Sequence, residues 1–370
     1  MNKKFYKWLS IFSLTFFLSS CGLFTNQDAT EPETQPPTEE TEETPEESNE
    51  NNQSEDEVNQ ELTAWLPRLD NVLYSYEGVG NEYATFNRRP QFNQENYYQT
   101  ATDNGGTVNV EVFEYKNDEI VRTFQRPETY FRDNFTEIES FPELDEEEVI
   151  LKAPIKVGNK WSSNGNDYEI TAVNHEVEVP AGDYTTIELT ITMPDTVIKK
   201  YYAEDVGLVS EISETEGMTV ESNLESVKTN TPEVLPFIVY LPDDQAIGMD
   251  TMETELILNT NDSARVAITK LLSGQEDRYK DVNILSEGTE INYLFLNDEN
   301  IVEVDVSSEF EENMAGSTGE LFGVYTLVNT LSQYYGTQEV LLTVEGEPYS
   351  GPHITLEKGE LLTFNEDMVN

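Results

Sequence analysis

Short runs in which apolar and polar residues alternate recur along the chain between Leu62 and Lys228. Examples are Val108–Tyr115, Tyr168–Val173 and Thr186–Ile191. Alternation with a period of two places every second side chain on one face of a β-strand, so each run predicts a strand with one buried face. Helical patterns are scarce here, apart from a short one at 61–66. We therefore predict an antiparallel sheet that is strongly curved or forms a half-open barrel.

Turn-forming residues separate these runs. Lys116–Glu119 and Ser163–Asn166 have the composition of hairpin loops, and Pro180–Asp183 that of a tight reversal between two strands. Loops this short connect antiparallel neighbours, which supports the prediction of an antiparallel sheet.

The last part of the chain, residues 230–370, mixes strand and helix patterns. Its predicted strands are Phe237–Leu241, Thr254–Asn259, Glu290–Leu296, Ile301–Val306 and Val340–Val344. Residues 297–300 predict a hairpin between the third and fourth of these strands. Together with two helices, the strands give the order β-β-α-β-β-α-β, which predicts a compact α+β layer with both helices on one sheet face.

The two helices of this region have recognisable ends. The first is predicted to begin after Asn261 or Asp262 and to stop at Gly274. The second is predicted to open with a capping box over Ser317–Glu320 and to end at Gly336. Apolar residues recur along it at helical spacing, and these are Leu321, Val324, Val328, Leu331 and Tyr335.

Cys21 is the sole cysteine of the chain, and it follows Leu18, Ser19 and Ser20. The N-terminus before it is basic and then apolar, with an apolar run too short for a lasting transmembrane helix. A leucine three residues before a cysteine, with small residues between, is the lipobox of bacterial lipoproteins. We predict a signal peptide over 1–20 and a diacylated, palmitate-type Cys21. Two acyl chains would hold the chain on the extracytoplasmic face of the cell membrane.

The following residues, 21–58, are mostly Thr, Glu, Pro, Asn and Gln. They have too few apolar side chains to offset the entropy cost of ordering, so we predict a disordered acidic linker. Acidity extends through the whole chain, which has 73 acidic against 21 basic residues and a formal net charge of −52. Such a surface repels phosphate groups, so nucleic acid is not an expected partner. Beyond the linker we expect a β-rich domain over 59–229 and an α+β domain over 230–370.

The β-rich domain resembles a domain found in many Gram-positive lipoproteins of unassigned role. The segments that carry the resemblance are Pro154–Trp161, Val179–Tyr184 and Lys200–Val209. The resemblance implies a β-rich fold and no particular activity.

The C-terminal domain resembles the GerMN domain of sporulation and spore-germination lipoproteins. The resemblance rests on Leu285–Thr289, Val304–Phe310, Tyr325–Leu331 and Val340–Gly346, in that order. Its motif residues are Asp305, Ser307, Ser308, Glu309, Phe310, Asn329 and Thr330. The GerMN fold is similar to small α/β modules that build rings in secretion-type assemblies, so the resemblance implies a non-catalytic role in protein interaction. Sporulation proteins of the family typically carry two such domains in tandem, whereas this chain has one.

No catalytic constellation is evident in the sequence. The two histidines, His175 and His353, lie in different predicted domains, and the motifs of serine hydrolases, zinc proteases and P-loop enzymes are absent. The acidic stretch 143–148 lacks the ligand spacing of a calcium loop. Asp305 and Glu309 could form the carboxylate pair of a wall hydrolase, with strand-end turns and helix capping as the alternative. We expect a non-enzymatic protein without metal or cofactor.

Two functions remain open. The first is a lipid-anchored envelope lipoprotein that binds other envelope proteins in sporulation or spore germination. The alternative is an envelope lipoprotein that binds an apolar or cell-wall-derived ligand in its β-rich domain. Trp161, Tyr201 and Tyr202 would then line a cavity rather than pack a core. An exposed apolar patch or free strand edge within 237–296 would favour the first function, and an apolar pocket at Trp161 the second.

Overall fold

The described part of the chain is discontinuous. The computed structural model describes residues 61–137, 147–274, 285, 288–312 and 316–370. The lipobox residues Leu18, Ser19 and Ser20, together with Cys21 and the acidic linker, lie outside the described residues. The same holds for residues 143–146 of the acidic stretch and for Ser286 and Glu287 of the GerMN resemblance.

The β-rich region is built on one antiparallel sheet, preceded by a short helix α1 at residues 61–65. Within the described residues the sheet has 12 strands. They are β1 (Leu73–Val79), β2 (Phe86–Gln94), β3 (Tyr97–Asp103), β4 (Val108–Tyr115), β5 (Glu119–Arg126), β6 (Glu148–Lys152), β7 (Lys160–Ser163), β8 (Asn166–Val179), β9 (Gly182–Thr192), β10 (Thr196–Ala203), β11 (Gly207–Thr215) and β12 (Met218–Lys228).

The spatial order of the strands brings the two edges of this sheet together. The order is β6-β5-β4-β3-β2-β1-β12-β11-β10-β9-β8-β7, so the edge strands β6 and β7 are consecutive in the chain. The Trp161 Nε1 of β7 donates to the Val149 carbonyl of β6 at 2.9 Å, and the Val149 amide donates to Ser163 Oγ at 2.8 Å. Side-chain hydrogen bonds replace a backbone ladder at this seam. The predicted half-open, strongly curved antiparallel sheet is confirmed.

The predicted turns lie between neighbouring strands. In the β7–β8 hairpin, Asn164 and Gly165 both have positive φ, at 48° and 74°. Two left-handed residues give a two-residue turn the twist that matches the flanking strands. The Lys116 amide donates to the Glu119 carbonyl at 2.9 Å and closes the β4–β5 turn. Pro180 and Ala181 reverse the chain between β8 and β9, and Val179 pairs with Gly182 on either side of them.

The C-terminal region contains both strands and helices. Its elements are β13 (Glu233–Pro242), β14 (Met249–Leu258), α2 (Ala264–Leu272), β15 (Ile291–Leu296), β16 (Ile301–Val306), α3 (Glu309–Glu312), α4 (Gly316–Tyr335), β17 (Glu339–Val344), β18 (Glu347–Pro348) and β19 (Leu362–Thr363), followed by a 3-10 turn at Glu366–Met368.

These strands form two sheets rather than the single layer expected from the sequence. β13 and β14 pair with each other as an isolated hairpin, while β15-β16-β17-β18 form a second sheet with β19 added to β17. β16 and β17 are parallel, because α4 connects them as a crossover helix. α4 packs on β13 as well as on this second sheet. α4 therefore packs between the β13–β14 hairpin and the second sheet.

The helix starts differ from those predicted. Ser263 occupies the N-cap position of α2, without a capping hydrogen bond to its side chain. Asn261 and Asp262 do not cap the helix, because Asn261 has a left-handed φ of 70° and the Asp262 carboxylate accepts from the Asn259 amide at 2.8 Å. α4 begins at Gly316, and Glu320 is fully buried instead of reaching back to the helix start. The capping-box prediction is therefore wrong. The Glu320 carboxylate instead accepts hydrogen bonds from residues 349–354, as described below, so it is not available to cap the helix.

Two large hydrophobic clusters, and a small third one of Tyr240, Met249 and Phe322, stabilise the described fold. One lies inside the curved sheet and includes Ile170, Leu189 and Leu224. The other joins the C-terminal strands and helices to side chains of the curved sheet, including Val110 and Phe131. The curved sheet and the C-terminal region thus bury apolar surface against each other, so they share one core.

A buried group of polar side chains, here called the ionic joint, links the two regions. It consists of Arg132, Asp133, Glu233 and Tyr335. Arg132 Nη1 lies 3.0 Å from Glu233 Oε2, and its Nη2 donates to the carbonyl oxygens of Gln91 and Asn259 at 2.6 and 2.7 Å. Asp133 Oδ1 accepts from the Tyr335 hydroxyl at 2.8 Å, and its Oδ2 from the Leu296 amide at 3.3 Å.

Candidate functional site

The first group of GerMN motif residues lies where β16 ends. Asp305 Oδ1 accepts from the Thr343 hydroxyl and the Gly346 amide, both at 2.7 Å. Its Oδ2 accepts from Asn292 Nδ2 at 3.1 Å. The carboxylate of Asp305 is therefore fully occupied in tying together the ends of β15, β16 and β17.

The neighbouring motif residues make turn contacts. Ser307 Oγ accepts from the Glu290 amide at 3.0 Å, and the Ser308 amide donates to Glu345 Oε1 at 3.1 Å. Glu309 is the first residue of α3, and a hydrogen bond from the Ser307 side chain lowers the pKa of its carboxyl group. These contacts are those of a strand-end turn leading into a helix.

The second group of motif residues lies inside the fold and contacts different segments. Phe310 is buried, with its ring edge-on to Tyr349 at 5.9 Å. Asn329 Oδ1 accepts from the Asn365 amide at 2.9 Å, and Thr330 Oγ1 accepts from the Tyr240 amide at 3.1 Å. The structure does not bring the motif residues together around one pocket. Their observed contacts hold β13 and the C-terminal tail to α4.

Glu320 has a role that the sequence did not reveal. Its carboxylate accepts from the backbone amides of His353 and Ile354, both at 2.9 Å, and from the Tyr349 hydroxyl at 3.2 Å. Gly351 permits this approach, since a Cβ there would lie 2.2 Å from Glu320 Oε1. Burial raises the pKa of Tyr349, and the adjacent Glu320 carboxylate raises it further. These hydrogen bonds to Glu320 hold the 349–354 loop against α4.

The two histidines take up separate structural positions. His175 stacks on Tyr201 with ring centroids 5.3 Å apart, while His353 lies in the loop held by Glu320. Across the described residues, no group of three or more His, Cys, Asp or Glu side chains is arranged to hold a metal ion. The described ranges also contain no helix long and apolar enough to span a membrane.

The outer face of the β13–β14 hairpin carries exposed apolar side chains. We call it the hairpin face and define it by Val234, Pro236, Glu253, Glu255 and Ile257. Val234 and Ile257 lie directly opposite each other and are 47% and 42% exposed. Pro236 faces Glu255 one pair further along. Ile257 lies within the range 237–296 in which an exposed apolar patch would favour protein binding, whereas Val234 and Pro236 lie just before it. The face places apolar and acidic side chains together on a two-stranded sheet.

Trp161, Tyr201 and Tyr202, which were proposed to line one cavity, do not lie around a common cavity in the structure. Trp161 stacks on Tyr168 at 5.4 Å and closes the β6–β7 seam, and Tyr201 packs against His175. Tyr202 lines a cavity of about 120 Å³ inside the curved sheet, whose wall also carries Arg88, Arg122 and Lys200. Charged side chains facing inwards were not expected, since alternation alone assigns polar residues to the solvent face.

One comparison with known proteins matches the C-terminal region. Residues 238–350 match the family Germane, described as "Sporulation and spore germination". A comparison with curated proteins found no match. Among solved structures, the tandem GerMN domains of the sporulation protein GerM from Bacillus subtilis match with 18% identity and a TM-score of 0.25. That match covers 34% of this chain and 47% of the GerM structure.

Two further solved structures are similar to parts of the chain. An exported protein of Bacteroides fragilis, described as having a YmcC-like fold, matches with 12% identity and a TM-score of 0.28, over 44% of this chain and 98% of that one. A Clostridium perfringens protein described as a lipoprotein matches with 14% identity and a TM-score of 0.22, over 36% of this chain and 87% of that one. From the family match, the C-terminal region of this chain is GerMN-like.

Proposed function

We propose that this chain is a lipid-anchored lipoprotein of the cell envelope whose GerMN-like region acts as a non-catalytic protein-interaction module in sporulation or spore germination. The observation that carries the proposal is the family match over residues 238–350. The motif residues support it, because their side chains are engaged in holding the fold rather than directed into a reaction cleft.

The hairpin face is the proposed contact surface. Its opposed pair Val234 and Ile257 supplies apolar area that a partner would bury, while Glu253 and Glu255 supply negative charge. With a formal net charge of −52 for the whole chain, the complementary partner is a basic envelope protein. Electrostatic attraction would speed the encounter, and burial of the apolar pair would hold the complex.

Substitution of the hairpin face tests this surface. We expect the full chain carrying Val234→Ser and Ile257→Ser to capture its basic partner about tenfold less well in a quantitative crosslinking pull-down, since two half-exposed apolar anchors are removed. Raised salt should weaken capture by the unaltered chain, because the partner is attracted by charge. Both substitutions are at exposed positions, so the fold should be retained.

Val79→Ser provides the matched control for these substitutions. Val79 is 60% exposed and lies on β1, outside the GerMN-like region. The control should capture the same partner as the unaltered chain. Equal capture by all three proteins would show that the hairpin face is not the contact surface.

Cys21→Ala tests the proposed lipid anchor. Without the thiol no thioether to a diacylglycerol forms, so the full chain should move from the membrane fraction to the soluble fraction. Two acyl chains make the difference large, at about 0.8 kcal/mol for each buried CH₂ group. Cell fractionation followed by immunoblotting measures it. A Cys21→Ala chain that stays with the membrane after a carbonate wash would contradict lipidation as the anchor.

A further inference from the structure

The cavity inside the curved sheet is separate from the hairpin face and has an unusual wall. Its volume is about 120 Å³, room on the order of four water molecules. Leu66 and Pro67, next to α1, form part of the wall, and the Tyr115 hydroxyl donates to the Leu66 carbonyl at 2.9 Å. Apolar side chains form part of the wall, including Ile120, Ile150 and Leu208.

Cationic and anionic side chains meet at this wall. Arg122 Nη1 lies 2.8 Å from Glu111 Oε1, and its Nη2 contacts Glu148. Lys200 Nζ lies 3.1 Å from Glu211 Oε2. The charges of Arg122 and Lys200 are therefore matched by carboxylates at close range.

Arg88 is paired less closely. Among the described residues its ion pair is with Glu111, whose Oε2 lies 3.9 Å from Arg88 Nη2. The Nε of Arg88 donates to Thr102 Oγ1 at 3.0 Å. Glu111 is at the same time bound at 2.8 Å by Arg122, so its charge is shared. Glu211 also stabilises the charged form of Arg88, and Glu111 and Glu148 lie in the same wall. Among the described residues, however, no carboxylate makes a close bidentate pair with the Arg88 guanidinium, whose ion pair with Glu111 is 3.9 Å long.

Two further donors at the wall have no hydrogen-bond partner within the described part of the chain. They are the hydroxyl of Thr100 and the Nε of Arg122. Thr100 is only 4% exposed, and Thr100 and Arg122 both line the cavity. Leaving such a group unpaired costs about 1–3 kcal/mol, so a buried donor of this kind favours an acceptor in the cavity.

We propose that this cavity binds a short-chain carboxylate, with the Arg88 guanidinium as its counter-ion and the Thr100 hydroxyl and Arg122 Nε as hydrogen-bond donors. The unpaired groups can all donate, which matches the acceptor-only chemistry of a carboxylate. The fork of a guanidinium fits the two oxygens of that group. The apolar part of the wall suits a short hydrocarbon tail. Apolar side chains around the charged groups strengthen the charge interaction.

Calorimetric titration of the full chain with butyrate and with butyramide tests the site. The two probes have nearly the same shape and differ in charge. We expect butyrate to bind at least about tenfold more tightly, as a charge-assisted pair of hydrogen bonds implies. Arg88→Met should abolish this preference. Lys199→Met, which removes the same charge from the residue next to Lys200 but outside the cavity lining, should leave it unchanged.

Thr100→Val separates binding from folding. The substitution removes a hydroxyl that has no partner, so the melting temperature should be equal to or higher than that of the unaltered chain. Butyrate affinity should nevertheless fall by about fivefold, for the loss of one hydrogen bond. Equal binding of butyrate and butyramide, no saturable binding of butyrate, or unchanged affinity in Thr100→Val would each overturn the proposal.

Discussion

Arg132→Met is expected to lower the free energy of unfolding by about 3–5 kcal/mol, because it removes one partner of a buried ion pair and leaves the other charged. The Arg132 side chain is fully buried, and Glu233 beside it is nearly so. The substitution also deprives the carbonyl oxygens of Gln91 and Asn259 of their donor. Urea denaturation of the full chain, followed by circular dichroism, measures the change.

Two further variants serve as comparisons for Arg132→Met. Lys160→Met breaks the exposed pair between Lys160 and Glu169 and should cost less than about 1 kcal/mol. Arg132→Met combined with Glu233→Leu should regain part of the lost stability, since no buried charge is then left unpaired. A cost for Arg132→Met no larger than that for Lys160→Met would contradict the buried ionic joint.

Stability is expected to fall as pH rises from about 4 to about 7, through Asp133. Burial raises the pKa of this carboxyl group to about 7, although the Tyr335 hydroxyl and the Leu296 amide, which donate to it, oppose the shift. In the unfolded chain the group ionises near pH 4. Between these values the unfolded state loses its proton while the folded state keeps it. The contribution of Asp133 to stability is therefore full below about pH 4 and declines as pH rises to about 7.

The size of this effect is on the order of 4 kcal/mol over the whole interval, from about 1.4 kcal/mol per pKa unit. Asp133→Asn should remove it, so the difference in unfolding free energy between variant and unaltered chain should change by that amount between pH 4 and pH 7. Asp244→Asn changes the same formal charge in the exposed turn after β13 and serves as the control. A constant difference across this pH range would contradict a buried Asp133 with a raised pKa.

Local features of the fold were predictable because they depend on neighbouring residues. Asn164 and Gly165 specify their turn through the backbone conformations that they tolerate. The helical spacing in α4 predicted that Val324, Val328 and Leu331 are buried, and they are. Leu321 has the same spacing but is 39% exposed, while its neighbours Glu320 and Phe322 are buried, so a different side of the helix is covered at this end of α4.

Features that depend on distant parts of the chain were not predictable in this way. The ionic joint joins Arg132 to Glu233 and Asp133 to Tyr335, and neither pair leaves a periodic signal in the sequence. The partners of Glu320 lie 29 to 34 residues further along, so the nearby capping box was the better local interpretation. The inward-facing Arg88 likewise breaks the rule that polar residues of a strand face solvent.

The most direct measurement of the proposed role in protein interaction is site-specific photocrosslinking in sporulating cells. A photoreactive amino acid at Ile257 of the full chain should crosslink to the proposed basic partner, and the same group at Val79 should not. The Ile257 adduct should also become weaker when Val234→Ser is added. No adduct at Ile257, or equal adducts at both positions, would contradict an interaction through the hairpin face.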